Sequence, residues 1–312
     1  MPLPPPLTPH SRIAVAAPSS AVLDRADAEA GLEALRQRGL DVEIGRSLAP
    51  RMGYLSGPDE TRAAEMNVLF ARDDIDAIVC VRGGYGALRI LDALDYDALA
   101  AHPKLIVGYS DITALHLAAW ARAGVPGLSA AMVAPDWPSL DAASEQQFWD
   151  LAGGAHPWEV TGPGGEALVP LRVGEAEGPL LGGNLSLIAA LLGTPYLPDL
   201  TGAILFVEDV GEPPYRIDGL LARLRLAGVL ERLGGLVIGA FTGAETASDR
   251  PSLTIDEVIG HYAGFVNGPV ARGLVYGHFA RKTPLPVGVT ARLRVGAEAH
   301  LTTLSSLTLP PL

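Results

Sequence analysis

Apolar residues in the first part of the chain come in short runs separated by amphipathic stretches. Ile13-Ala14-Val15-Ala16 has the length of a strand and stops at Pro18-Ser19-Ser20. From Asp24 to Arg38 the period changes. Ala28, Leu32 and Leu35 fall at i, i+4 and i+7, one face of a helix, and Gly39 closes it. Val42 and Ile44 mark a second strand, and Pro58-Asp59 opens a helix running to about Arg72. Asp76 to Val81 reads as a buried strand, and Gly83-Gly84-Tyr85-Gly86 turns into a helix ending near Leu94. Leu105-Ile106-Val107 is another strand, followed by a helix from Ile112 to Ala123. Strands alternating with helices predict an α/β unit with a mostly parallel sheet covered on both faces.

From Gly153 turn formers crowd the chain, in Gly153-Gly154, Pro157, Gly162-Pro163-Gly164-Gly165 and Gly178-Pro179. They predict an N-terminal domain over 1–152, a linker over 153–178 with short strands such as Ala167 to Val173, and a C-terminal domain over 179–312. That second part shows a helix from Leu181-Gly182-Gly183-Asn184 to Leu192, a strand from Ala203 to Val207, and a helix with Ile217, Leu220, Leu221 and Leu224 on one face. A strand from Leu236 to Phe241, a helix from Ile255 to Ala263 and β-like segments Val270 to Leu274 and Val289 to Val295 follow.

Composition narrows the function classes. The chain has 312 residues, 48% of them hydrophobic, and a formal net charge of −12. It is too apolar for a disordered chain, lacks the long apolar runs of a membrane span, and lacks the basic face a nucleic-acid binder needs. Its length suits two domains. The single cysteine, Cys80, lies in the run Ile78-Val79-Cys80-Val81 and reads as a small buried hydrophobe, so neither an internal disulfide nor a cysteine zinc site is expected. Met1-Pro2-Leu3-Pro4-Pro5-Pro6 reads as a frayed tail, not as a leader, and the expected location is the cytoplasm.

Ligands of open α/β sheets sit beyond the carboxyl ends of the strands. Two such ends stand out. In Arg82-Gly83-Gly84-Tyr85-Gly86 the glycines let backbone N–H groups approach a ligand, or simply make a tight turn; the spacing is not that of a dinucleotide fingerprint, which argues against an oxidoreductase. In Gly108-Tyr109-Ser110-Asp111-Ile112 a serine falls where a strand turns sharply into a helix. It resembles a nucleophile elbow without its second glycine, and a helix-capping serine fits equally.

A serine nucleophile needs a base, and the base an acid. Of the seven histidines, His278 follows Tyr276-Gly277 after an apolar segment, a strand-end position with a glycine hinge. His116 is too far along its helix from Ser110 to reach it. Glu208 or Asp209 emerges where Ile204-Leu205-Phe206-Val207 ends. The backbone N–H groups of Asp111 and Gly84 are the candidate oxyanion donors. Arg82 and Arg216 are candidates for binding a substrate carboxylate, or structural ion pairs. Trp137, Trp149 and Trp158 read as packing residues.

Taken together, Arg82-Gly83-Gly84-Tyr85-Gly86, Pro103-Lys104, Gly108-Tyr109-Ser110-Asp111-Ile112-Thr113-Ala114-Leu115, Gly182-Gly183-Asn184-Leu185, Phe206-Val207-Glu208-Asp209, Tyr215-Arg216-Ile217-Asp218 and Gly277-His278 resemble the serine peptidase family of L,D-carboxypeptidases and microcin C immunity proteins. The matching stretches span roughly residues 12 to 290 in the family's order. The resemblance implies a Ser110–His278–Glu208 triad and no metal or other cofactor. It also implies a homodimer, and a Rossmann-like N-terminal domain facing a mixed α/β C-terminal domain across a cleft. It further implies a small peptide or peptide-like substrate: a murein tetrapeptide cleaved beside its C-terminal D-amino acid or, as the alternative, an aminoacyl-nucleotide analogue. The chain departs from the family's pattern at Gly219, at Arg281-Lys282 where an asparagine is common, and at Leu128-Ser129-Ala130-Ala131.

Overall fold

Two sheets organise the chain; the computed structural model describes residues 2–244 and 251–310. The first contains β1 (Arg12–Ala16), β2 (Asp41–Ile44), β3 (Ala77–Cys80), β4 (Leu105–Val107) and β5 (Gly127–Ser129), all parallel. β3 and β4 are buried at every residue, as expected of strands covered on both faces. The helices of this half are α1 (Arg25–Gln37), α2 (Asp59–Ala71), α3 (Tyr96–Ala101), α4 (Thr113–Ala123) and α5 (Ala142–Ala152). In α1 Asp24 caps the first turn by accepting the Ala26 N–H, and Ala28, Leu32 and Leu35 form the buried face. The segment after the glycine turn is a 3₁₀ helix, Ala87–Ala93, not an α-helix. Its room is short, because the Asp111 carboxylate takes the Ala87 N–H at one end and Asp95 already caps α3 at the other.

The second sheet runs in the order β13-β12-β7-β8-β9-β10-β6. Its strands are β6 (Val169–Arg172), β7 (Gly174–Asn184), β8 (Ile204–Val210), β9 (Gly235–Thr242), β10 (Val270–Arg272), β12 (Thr290–Val295) and β13 (Ala299–Thr303). The helices α6 (Leu185–Ala190), α7 (Pro214–Leu226) and α8 (Ile255–Ala263) cross between the parallel strands β7 to β10. A capping box of Thr254 and Glu257 starts α8. β6 and the start of β7 fall within the segment 153–178 expected as linker. A Cβ at Gly178 would lie 2.1 Å from the Gly202 carbonyl oxygen, so this glycine serves close packing inside a strand, not a turn.

One strand leaves its half of the chain. β11 (Leu285–Val287) pairs antiparallel with β5, with Leu285 opposite Ser129, and closes the edge of the first sheet. One hydrophobic cluster runs through both sheets. No helix among the described residues is long and apolar enough to cross a membrane.

Candidate active site

The carboxyl ends of β3, β4, β7 and β8 and the segment after β10 converge on one cleft. Ser110 follows β4 with φ +63°, a left-handed conformation that a non-glycine residue adopts only under strain of about 1–3 kcal/mol. The turn drives its side chain out of the strand before α4 starts. Its hydroxyl does not cap the helix. Ser110 Oγ lies 2.9 Å from His278 Nε2, and His278 Nδ1 lies 2.8 Å from Glu208 Oε2.

Glu208 is fully buried at the end of β8. The pairing of β8 with β9 shifts register between Val207 and Asp209, and such bulges re-aim side chains. Glu208 faces His278, whereas Asp209 turns away and accepts from the Ser186 N–H and hydroxyl at 2.9 and 2.8 Å. Asn184 joins them. Its Oδ1 accepts the Leu187 N–H as the N-cap of α6, so its Nδ2 must point the other way, donating to Glu208 Oε1 at 3.1 Å and to Asp209 Oδ1 at 3.0 Å. Its backbone N–H donates to Thr113 Oγ1 on α4, tying the two halves beside Ser110.

The glycine turn wraps the other side of Ser110. A Cβ on Gly83 would stand 3.0 Å from Ser110 Cβ and 3.2 Å from its Oγ. Gly84 has φ +103°, and a Cβ there would meet Ser20 Oγ at 2.4 Å. Ser20 clasps this turn, accepting the Tyr85 N–H at 3.0 Å, while its own N–H donates to the Gly83 carbonyl. Ser19 donates to Asp111 Oδ2 at 2.7 Å. Burial pushes the Asp111 carboxyl above the usual carboxylate range, with the Ser19 and Ala87 hydrogen bonds opposing. Among the described residues the N–H groups of Gly84 and Asp111 donate to no protein acceptor.

The cleft encloses about 360 Å³, the size of a small-ligand site. Arg82 lines it together with Ser110 and His278. Its Nη1 donates to the Ala21 carbonyl at 3.2 Å, and no carboxylate among the described residues pairs with it. Burial lowers its pKa, yet a guanidinium stays charged. Arg216 lies elsewhere: it is exposed and pairs with Glu212, just before its helix α7. His116 is buried against the Ile106 carbonyl, and its pKa is pulled down to about 4 by desolvation. Trp137 and Trp149 meet Phe148 edge-on, and neither lines the cleft. The roles of Asn184, Ser19 and Ser20 escape sequence reading, because Pro18-Ser19-Ser20 signals only the end of a strand.

Known proteins resemble this chain over most of its length. A model of the LD-carboxypeptidase N-terminal domain matches residues 13–130, and one of the LD-carboxypeptidase C-terminal domain matches residues 177–293. The murein tetrapeptide carboxypeptidase of Pseudomonas aeruginosa is 35% identical over 294 residues, covering 90% of this chain and 92% of that protein. The microcin C7 self-immunity protein MccF of Escherichia coli is 28% identical over 291 residues, covering 83% of each. The crystal structure of muramoyltetrapeptide carboxypeptidase from Oxalobacter formigenes is similar with a TM-score of 0.85 and 29% identity, covering 96% of this chain and all of that one. The chain belongs to the LD-carboxypeptidase family and is a serine-type carboxypeptidase.

Proposed function

We propose that this carboxypeptidase hydrolyses the amide bond preceding a C-terminal D-amino acid, in a murein tetrapeptide or a closely similar peptide, through a Ser110–His278–Glu208 triad. The observation that carries the reading is the unbroken chain of 2.9 and 2.8 Å contacts from Ser110 through His278 to a fully buried carboxylate. His278 Nε2 takes the proton as Ser110 Oγ attacks the carbonyl carbon. Glu208 accepts the hydrogen bond from His278 Nδ1–H without taking the proton, holds the tautomer and stabilises the imidazolium. The N–H groups of Gly84 and Asp111 receive the oxyanion, each worth about 3–4 kcal/mol in the transition state. The C–N bond breaks, His278 protonates the leaving amine, and water hydrolyses the acyl-enzyme by the reverse relay. Arg82, a cation in the cleft that pairs with no carboxylate among the described residues, anchors the substrate's terminal carboxylate.

Replacing Ser110 by Ala tests this: hydrolysis of a murein tetrapeptide is expected to fall by about 10⁴-fold or more, since triad members act as a unit. Retained turnover rejects the assignment. Similarity to MccF supports a second reading on the same triad, an amidase acting on an aminoacyl-nucleotide analogue. Among the described residues none of Trp137, Trp149 and Trp158 lines the cleft, whose aromatic lining is Tyr109 beside His278. Assaying an aminoacyl sulfamoyl adenosine beside the tetrapeptide separates the two.

A further inference from the structure

His278 sits on the segment from Gly277 to Thr283, which belongs to no helix or strand. Its target, Ser110, hangs from a different sheet. A base so carried needs a device that sets its distance to the nucleophile, and the far end of its own segment holds one. Lys282 is 2% exposed. Its Nζ donates to Asp136 Oδ1 at 2.6 Å and lies 3.7 Å from the centroid of the Tyr109 ring. Asp136 is equally buried and is fixed from its other oxygen, which accepts the Met132 N–H at 2.8 Å. The Lys282 backbone N–H donates to Ser144 Oγ on α5 at 3.1 Å.

Tyr109 closes the circuit. It directly precedes Ser110, its hydroxyl donates to Asp136 Oδ1 at 3.3 Å, and its ring meets the His278 imidazole edge-on at 5.1 Å between centroids. Thus one ammonium touches the neighbour of the nucleophile while riding on the segment that carries the base. Lys282 does not line the cleft. A buried ion pair is also a weak source of stability, because desolvating both charges offsets their attraction.

We propose that Lys282 is a positioning residue. Through Asp136 and the Tyr109 ring it locks the His278 segment onto the nucleophile elbow and holds Nε2 within reach of Ser110 Oγ. The inference rests on the triad reading above. A misplacement of about 1 Å in such an arrangement costs about 100-fold in rate.

The test compares Lys282→Met, Asp136→Asn, the double variant, and Ser144→Ala, which cuts only the backbone tether. Three quantities are measured: the melting temperature, kcat and KM on the tetrapeptide, and the rate at which a fluorophosphonate labels Ser110. Labelling needs an activated serine but no peptide recognition, so it reports on the lock even if the substrate assignment fails. Each single charge variant is expected to melt early, since it strands a buried charge, and the double variant to regain most of that loss. In the double variant kcat and labelling are expected to stay down by about 30–100-fold, with KM within about threefold. Ser144→Ala leaves the buried Lys282 N–H without its acceptor; it is expected to melt slightly below the wild type, less than either charge variant, and to lose about three- to tenfold in both rates. Recovery of wild-type labelling in the double variant would overturn the proposal and leave a purely stabilising pair. A raised KM at unchanged kcat would also overturn it, moving Lys282 into substrate binding. If the charge variants fail to fold, Ser144→Ala decides, and an unchanged labelling rate there sinks the proposal.

Discussion

Glu208→Gln changes almost nothing in volume, and the surrounding hydrogen bonds dictate its effect. Asn184 Nδ2 donates to Glu208 Oε1 and cannot turn round, because its Oδ1 is committed to the Leu187 N–H. The substituted side chain must therefore present its carbonyl oxygen to Asn184. Its NH₂ then faces His278 Nδ1, where the Glu208 carboxylate oxygen stood 2.8 Å away. Two donors cannot share that contact, so Nδ1 becomes an acceptor and the ring proton moves to Nε2. The imidazole then offers Ser110 an N–H instead of a lone pair and can no longer act as base. Loss of the correct tautomer together with the carboxylate's charge costs about 10⁴-fold in kcat, or about 5 kcal/mol. The assay is steady-state release of the C-terminal amino acid, with fluorophosphonate labelling of Ser110 as a second readout. Adding Asn184→Ala frees the introduced amide to turn its oxygen toward His278. Despite being a second lesion, it is expected to restore about tenfold, the worth of one hydrogen bond. A single Glu208→Gln variant within tenfold of the wild type refutes the orientation argument, and a double variant slower than the single one refutes the role given to Asn184.

Gly83→Ala would set a methyl group 3.0 Å from Ser110 Cβ; kcat is expected to fall by about 100-fold while the melting curve shows a loss of only about 1–3 kcal/mol. Arg82→Met is expected to lower kcat/KM on a peptide with a free C-terminus by about 10–100-fold and to leave the same peptide as its C-terminal amide nearly unchanged, since a charge-assisted hydrogen bond is worth about 1.5–3 kcal/mol. His116, with a folded pKa of about 4 against about 6.5 when unfolded, binds its proton more tightly in the unfolded chain. Its contribution is therefore intact above about pH 6.5 and is lost as pH falls toward 4, at up to about 1.4 kcal/mol per pH unit and about 3 kcal/mol in all. Urea titrations across that window should show the slope in the wild type and a shallower one in His116→Gln.

Much of the scaffold is legible because burial repeats with a simple period. The i, i+4, i+7 face of α1 and the continuous apolar runs of β3 and β4 survive unchanged, and α8 starts and stops where its pattern does. The site is legible in a different way: Ser110 lies just past the end of β4, and His278 directly follows Gly277 in the segment between β10 and β11. What stays hidden depends on partners far away in sequence. Nothing local tells Glu208 from Asp209, since a bulge in the pairing of β8 with β9 aims them apart. Three-residue strands such as β5 and β11 carry too few positions to show a period. Lys282 and Asp136 are separated by 146 positions, so each reads alone as a surface charge.

The division of the proposed triad between two halves of the chain is less complete than the sequence suggests. Just before His278, Tyr276 is buried and its hydroxyl lies 2.6 Å from Ser129 Oγ on β5. Just after it, Lys282 reaches Asp136 and Ser144, and then β11 adds itself to β5, placing Leu285 opposite the same Ser129. Both flanks of the base are therefore moored to the sheet that bears the nucleophile, although the base follows a strand of the other sheet. Glu208 alone reaches the imidazole from the second sheet, and Asn184 and Thr113 bind that carboxylate's neighbourhood back to α4. A hinge between the halves would have to break the pairing of β11 with β5, a buried ion pair and the Thr113 tie together. The geometry that carries the chemistry is in this sense built into the first sheet, with the second sheet supplying the acid and closing the cleft.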